Sequence, residues 1–503
     1  MAKVSHPPAP DLELQMNLPE SERGPDDDAQ APALETADTH QFPDISRTRA
    51  ILLVVVLSLA ALLTVLNSQS IVIILPQLGS VMLLWGRLAD VYGRRLGFLS
   101  GSIIFTLSTL CLPWSRYEIP FYVLRAVQGM SAAAIMPSAI GITASTFAPG
   151  PSRNMAYIAL SAMASLGSVI GSLLGGFVGS ALGWKWVFWI PAAASACITV
   201  SGFVATAGAS MHIATQAQID HREGRKRPYV DWIGGLFVSC SLTLLLVVMT
   251  QANVIGWSTP WIPPLLIVSL LILGGFVFYQ RRLERDPDRL PLIRMSLFKK
   301  KKFSALFVLV GCFYASFNGF LVFVTYFYQN YEGLDQLQTT LRFLPAGVSG
   351  LLISFAVFPA LNHLPYFLVL TSGLLFGILS PLIFAVPSIP PNTAYWAWGF
   401  PAMCFGMSVE IVWPVFSLLT AKSLPQEDQS LGGGLLQTVN NVGRALGLAV
   451  ATAVQTSIYS DTYNFVGSDE YLRGLRAAQW VNFALAATSM MLALAFFRGS
   501  EKA

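Results

Sequence analysis

Apolar residues in this chain come in long blocks, not at the short intervals of a half-buried helix or strand. From Ile51 to Phe497, mostly apolar stretches alternate with short polar breaks. Blocks of about 18 to 25 residues are what a helix rising 1.5 Å per residue needs to cross roughly 30 Å of hydrocarbon. The breaks place spans near 51–75, 96–113, 119–141, 155–180, 186–208, 232–250, 262–280, 303–328, 340–360, 365–386, 394–420, 430–457 and 477–497. Between the first two lies Gly79 to Trp85, apolar but too short to cross alone. If a span is granted there, fourteen crossings follow and both termini are cytosolic.

Charge tests that layout. With fourteen crossings, twenty Lys and Arg residues fall in cytosolic segments (Arg87, Arg94, Arg95, Arg153, the Asp220–Arg227 and Arg281–Lys302 connections and others) and five fall outside. Without the crossing at 79–86 the asymmetry inverts, so the positive-inside rule favours it. Composition agrees: 54% hydrophobic and 12% charged residues exclude an ordinary soluble domain, about a quarter of which is charged. The first fifty residues differ, with ten acids, four bases and many prolines and alanines, the profile of a disordered acidic cytosolic tail. Five scattered cysteines and five scattered histidines offer neither a disulfide framework nor metal-ligand spacing, so no metal and no cofactor is expected. The basic residues read as topological, not as a nucleic-acid surface, and "KKKK" at Lys299–Lys302 reads as a cytosolic anchor on anionic lipid.

The expected architecture is therefore an all-α polytopic membrane protein. It divides into a tail (1–50), an N-terminal helical bundle (51–208), a cytosolic linker (209–231), two central spans (232–280), a basic linker (281–302), a C-terminal six-helix bundle (303–497) and a cytosolic end (498–503). Two bundles joined by a linker are the layout of transporters built from repeats.

Within it, "GRLADVYGRR" (Gly86–Arg95) sets two glycines, an acid and a basic pair in a tight loop. Arg94 and Arg95 are suited to acids or helix C-termini opposite. The stretch resembles the signature loop of the major facilitator superfamily, G-x-L-A-D-R-x-G-R-R, at Gly86, Leu88, Ala89, Asp90, Gly93, Arg94 and Arg95. The resemblance implies the two-bundle fold of that family and a loop that governs switching between access states. "LRAVQGMSAAA" (Leu124–Ala134) is similar to the fourth-span motif R-x-x-Q-G, which implies a proton-coupling role for Arg125 with Gln128 beside it. A structural bond from Arg125 to the bundle is the other reading. "GSVIGSLLGGFVG" sets Gly167, Gly171, Gly175 and Gly179 at intervals of four, leaving one helix face bare for close packing. It is similar to the fifth-span antiporter motif, with Ser172 where that motif has proline. "DWIGGLF", "PLIRMSLFKKKKF", "LRFLPAGVSG" and "NNVGRALGLAV" resemble the fourteen-span drug:proton antiporter family, above all its fungal members, over nearly all of 51–497.

Two departures stand out. Where that family has an acid in span one, this chain has Asn67. Span two is shortened near 79–86, about thirty residues fewer than the resemblance implies, which is an outer loop and most of a crossing. That implies an internal deletion between Gln77 and Met82 and a half-length second span.

The acid well clear of predicted span ends is Glu410, four residues before Pro414. It reads either as a gated proton carrier or as a structural acid paired to Arg125 or Arg444 or facing a cavity. Asn440, Asn441 and Arg444 fall on one helical turn, lining a cavity or serving as polar glue. No G-x-x-x-x-G-K-[ST] is present, which disfavours ATP-driven pumping, and no nucleophile constellation suggests an enzyme. The expected function is export of a small organic compound by proton antiport. Proton-coupled uptake of a metabolite or siderophore, a receptor-like protein and an inactive truncated product remain alternatives. The expected partners are a small-molecule substrate, protons and the bilayer, in a monomer of the plasma or vacuolar membrane.

Overall fold

The computed structural model describes residues 46–69, 93–147, 150–206, 231–286, 291–389, 391–424, 429–459 and 465–498. Gly86, Asp90, the shortened second span at 79–86 and the linker at 209–230 lie outside them. All regular elements among the described residues are helical: α1 (Arg47–Gln69), α2 (Arg94–Cys111), α3 (Glu118–Thr146), α4 (Pro151–Leu173), α5 (Trp186–Ala205), α6 (Trp232–Ile255), α7 (Ile262–Leu283), α8 (Lys301–Tyr326), α9 (Gln336–His363), α10 (Tyr366–Ala385), α11 (Tyr395–Cys404), α12 (Ser408–Ser423), α13 (Gln429–Ile458) and α14 (Asp469–Phe496). Helices that satisfy every backbone group internally are one of only two solutions for crossing hydrocarbon.

Eleven segments among the described residues are long and apolar enough to cross a membrane. The protein is a multi-pass membrane protein. The two other expected spans correspond to α4 and α13, which pack against their neighbours through glycine. A Cβ on Gly171 of α4 would lie 2.5 Å from the Leu66 carbonyl oxygen of α1, and one on Gly167 would overlap the Leu62 carbonyl oxygen. In α13 a Cβ on Gly443 would overlap the Gly311 carbonyl oxygen of α8, and one on Gly447 would lie 2.5 Å from the Ala315 Cβ. Small residues here let backbones touch, which strengthens helix packing.

The glycine stripe is only partly as expected. Gly167 and Gly171 are buried against α1, but at Leu174 the helix passes into a π turn, Leu174–Val178, before a last α turn at Gly179–Ala181. The i→i+5 bonding of a π turn breaks the i+4 register. A Cβ on Gly179 would meet only Val187 Cγ2, at 3.6 Å.

The first bundle has its core on α1, α2, α3 and α5, around Leu53, Leu57, Phe98, Phe105, Ile135 and Ile142. In the last bundle a larger core runs through α8, α9, α10, α12 and α13 around Phe313, Phe416 and Val412, and an aromatic cluster around Phe327, Tyr328, Phe384 and Trp398 fills its other half. The bundles meet where α4 packs on α9 and α12, and where α3 packs on α13. At the latter a Cβ on Gly433 would lie 2.9 Å from Ile140 Cδ1.

The central pair belongs to the second bundle. Leu245, Leu246, Met249 and Ala252 of α6 and Ile262 of α7 cluster with Ala445 and Ala449 of α13. Asp231, 1% exposed, caps α6 by accepting from Gly234 N at 2.8 Å, and its other oxygen accepts from Gln280 Nε2 of α7 at 2.5 Å. Gln280 Oε1 accepts from Ile293 N at 3.3 Å, and Leu292 and Ile293 enter the main core. One carboxylate thus fastens both central helices and the basic linker to α8.

Candidate functional site

Three helices of the first bundle are joined through one amide. Gln128 of α3 donates from Nε2 to Thr109 Oγ1 of α2 at 2.6 Å and to Asn67 Oδ1 of α1 at 3.3 Å. Its Oε1 accepts from Arg125 Nη1 at 2.5 Å. Arg125 and Gln128 share a face of α3 because three residues is just under one turn. Thr109 donates onward to the Phe105 carbonyl at 2.6 Å. The Arg125 guanidinium lies 5.3 Å from the centre of the Phe188 ring of α5. All four polar residues are buried: Asn67 2%, Thr109 0%, Gln128 3% and Arg125 6% exposed. Low dielectric strengthens such a network and raises the cost of any member left unpaired. One atom is left so: Arg125 Nη2 is buried with no hydrogen-bond partner.

The basic pair of the signature loop ties helix ends together. Gly93, with φ 109°, precedes α2 in a conformation that favours glycine. Arg94 Nη1 donates to the Gly141 carbonyl of α3 at 3.0 Å. Arg95 donates from Nε to Thr206 Oγ1 at 3.2 Å and from Nη2 to the Phe203 carbonyl at 3.3 Å, with its guanidinium 5.3 Å from the Phe203 ring centre. Both arginines therefore meet the C-terminal ends of α3 and α5, where helix dipoles favour cations.

In the second bundle the expected residues divide between two contacts. Arg444 Nε donates to Asn318 Oδ1 of α8 at 3.1 Å. Asn440 is 7% exposed and its Oδ1 has no hydrogen-bond partner, while Asn441 is half-buried beside it. Glu410, 8% exposed, stands in the first turn of α12, just after a 3-10 turn at Phe405–Met407. The helix break lies ahead of Glu410, and α12 continues through Pro414. The Glu410 side chain fits against Gly350 of α9, where a Cβ would come within 3.2 Å of its Cγ. Tyr314 of α8 is within electrostatic reach of both Glu410 and Arg444. Arg342 and Glu332 form an ion pair among the described residues.

That pair belongs to a site the sequence did not signal. Arg342 Nη2 is 4.0 Å from Glu332 Oε2, and its guanidinium lies 4.5 Å from the Tyr395 ring centre and 5.3 Å from that of Tyr328. Tyr395 donates to the Arg342 carbonyl at 2.8 Å. Burial pushes the Glu332 carboxyl above its ordinary range, and the nearby Arg342 opposes this only in part. Thr109, Phe188, Asn318 and Gln280 were also unmarked, being single polar or aromatic residues on apolar helices.

The sequence model described as the Major Facilitator Superfamily matches residues 45–448. An efflux pump, terJ, of Aspergillus terreus is 28% identical over 423 residues, 83% of this chain and 77% of that protein. A low affinity ammonium transporter of Saccharomyces cerevisiae is 25% identical over 425 residues, 83% and 78% of the two chains. The major facilitator superfamily multidrug transporter mdr3 of Aspergillus fumigatus is 26% identical over 433 residues, 83% and 69% of the two. Among solved structures, the human organic anion transporter MFSD10 superposes with a TM-score of 0.60 at 16% identity, over 88% of this chain and 99% of that one, a likeness of fold.

Proposed function

Since this chain belongs to the Major Facilitator Superfamily and is a membrane transporter of that type, we propose that it exports small organic molecules in exchange for protons, as a fourteen-span drug:proton antiporter of the plasma membrane. The observation that carries this reading is the pairing of a buried, titratable Glu410 just after a helix break with helices of two bundles that meet across α3–α13 and α4–α9. Rocking about those contacts alternates the exposure of an acid between the two sides of the membrane. Arg94 and Arg95, tied to the ends of α3 and α5, hold one access state. Relatives named as an efflux pump and a multidrug transporter support the direction of transport.

The test is accumulation of anionic, neutral and cationic aromatic dyes in yeast expressing the full chain, with and without a proton gradient. Lower accumulation that needs the gradient supports export, and Glu410→Gln is expected to abolish it. Higher accumulation in expressing cells turns the reading to uptake. Unchanged accumulation of every dye overturns the transport reading for this chain. Sequencing the transcript across codons 70 to 90 then shows whether the short second span belongs to the message.

A further inference from the structure

We infer that the first bundle of this transporter binds an organic anion, a carboxylate or phenolate of the substrate, on the guanidinium of Arg125. The inference rests on the transport reading above and names the substrate class that it leaves open.

A guanidinium has five N–H donors in a fixed fork and stays charged in proteins. Arg125 is 6% exposed, yet the fork is only half used. Nη1 donates to a neutral amide oxygen, that of Gln128, Phe188 offers a ring face, and Nη2 has no acceptor among the described residues. A buried charge without a counterion is costly, and one kept inside a membrane bundle marks a functional site.

Among the described residues no charged group acts on Arg125 as a counterion. Between Ile51 and Thr206 there are two acids, Asp90 in the signature loop and Glu118. Glu118 is exposed in the first turn of α3, two turns or about 10 Å from Arg125. In span one, where a carboxylate would face the same network, Asn67 presents an amide whose oxygen is already taken by Gln128.

The position suits a ligand. Ile140 on α3 faces Gly433 of the other bundle, and fifteen residues at about 100° each bring Arg125 to within about 60° of the same side. Gln128, anchored by Thr109 and Asn67, fixes the fork so that Nη2 is presented in one orientation. A planar carboxylate matches that fork, whereas a cation is repelled by it.

The experiment uses one ring with three charges. Benzoate, benzamide and benzamidinium are titrated at neutral pH against the purified full chain in detergent, with binding read as a shift in melting temperature. Benzoate is expected to bind about tenfold or more tightly than benzamidinium, the value of one charge-assisted hydrogen bond. Arg125→Gln is expected to erase that preference and Arg125→Lys to restore part of it, both variants eluting as the folded protein does. A preference that survives in Arg125→Gln, equal binding of the three probes, or no shift with benzoate overturns the inference. Dye transport is read separately: gradient-dependent efflux of cationic dyes without anionic ones refutes the anion site while leaving the transport reading intact, and benzoate binding without efflux of any dye does the reverse.

Discussion

The close approach of α1 and α4 makes a sharp prediction at Gly171. A methyl added there would lie 2.5 Å from the Leu66 carbonyl oxygen and 3.0 Å from Leu66 Cα, where ordinary contact begins at 3.4 Å. The obstacle is helical backbone, which cannot rotate away as a side chain can, so the helices must part by about 1 Å over a full turn. Overpacking of this kind costs about 1–3 kcal/mol, and more where the backbone cannot give. At about 2–4 °C per kcal/mol for a bundle-sized unit, Gly171→Ala is expected to lower the melting temperature of the detergent-solubilised protein by at least several degrees. Gly179→Ala is the internal control, because its methyl meets Val187 Cγ2 at 3.6 Å, an ordinary contact. Both substitutions raise helix propensity by about 1 kcal/mol, which would stabilise a helix not held to a neighbour. Scanning fluorimetry on the two variants separates the effects. If Gly171→Ala melts at or above the parent temperature, the close approach is not a constraint and the argument for glycine in this face fails.

Three further outcomes follow from the contacts. Gln128→Ala leaves Asn67, Thr109 and Arg125 Nη1 without their shared partner; a loss of about 2–4 kcal/mol should appear as a lower melting temperature, and Gln128→Glu, which gives Arg125 a counterion, should weaken benzoate binding. Asp231→Ala removes an N-cap and strands the Gln280 amide, for about 2–4 kcal/mol, and should expose the 281–302 linker to limited proteolysis, while Asp231→Asn keeps the cap and costs less. Glu332 has its carboxyl raised by burial, so the folded state binds its proton more tightly than the unfolded state. Stability from this group is therefore full below the ordinary carboxylate range and is lost as pH rises through the raised value; melting curves across that window should be flatter in Glu332→Gln.

What the sequence shows and what it hides separate along a physical line. Span positions were legible because hydrocarbon imposes length and apolarity on each segment independently, so α1 to α14 fall where the apolar blocks are. The glycines at 167 and 171 were legible for the same local reason. Gly179 was not, because the π turn at Leu174–Val178 depends on how α4 meets its neighbours, not on its own spacing. Arg125 and Gln128 stand out as polar residues in an apolar run, yet nothing local says that Gln128 will reach Thr109 nineteen positions away and Asn67 sixty-one away. Gln280 closes on Asp231 across forty-nine residues in the same way. A polar residue announces that it needs a partner; only the packing of helices chooses which.

That choice also sets the electrical character of the proposed cycle. An arginine cannot give up its charge at physiological pH, so in the proposed cycle an anion site on Arg125 keeps a fixed positive charge, and the proposed titrating step falls to Glu410 on the other bundle. Export of one monovalent anion with entry of one proton moves two positive charges inward. Each is worth about 2.3 kcal/mol per 100 mV, so an inside-negative potential adds about 4.6 kcal/mol per 100 mV to the drive. Export of a monovalent cation against one proton moves no net charge and gains nothing from that potential. The acid-to-amide difference at Asn67 therefore has consequences beyond a lost proton carrier: a carboxylate beside Gln128 would neutralise Arg125 and favour cationic cargo, whereas an amide there leaves the bundle suited to anions and lets membrane voltage, as well as the pH gradient, drive them out.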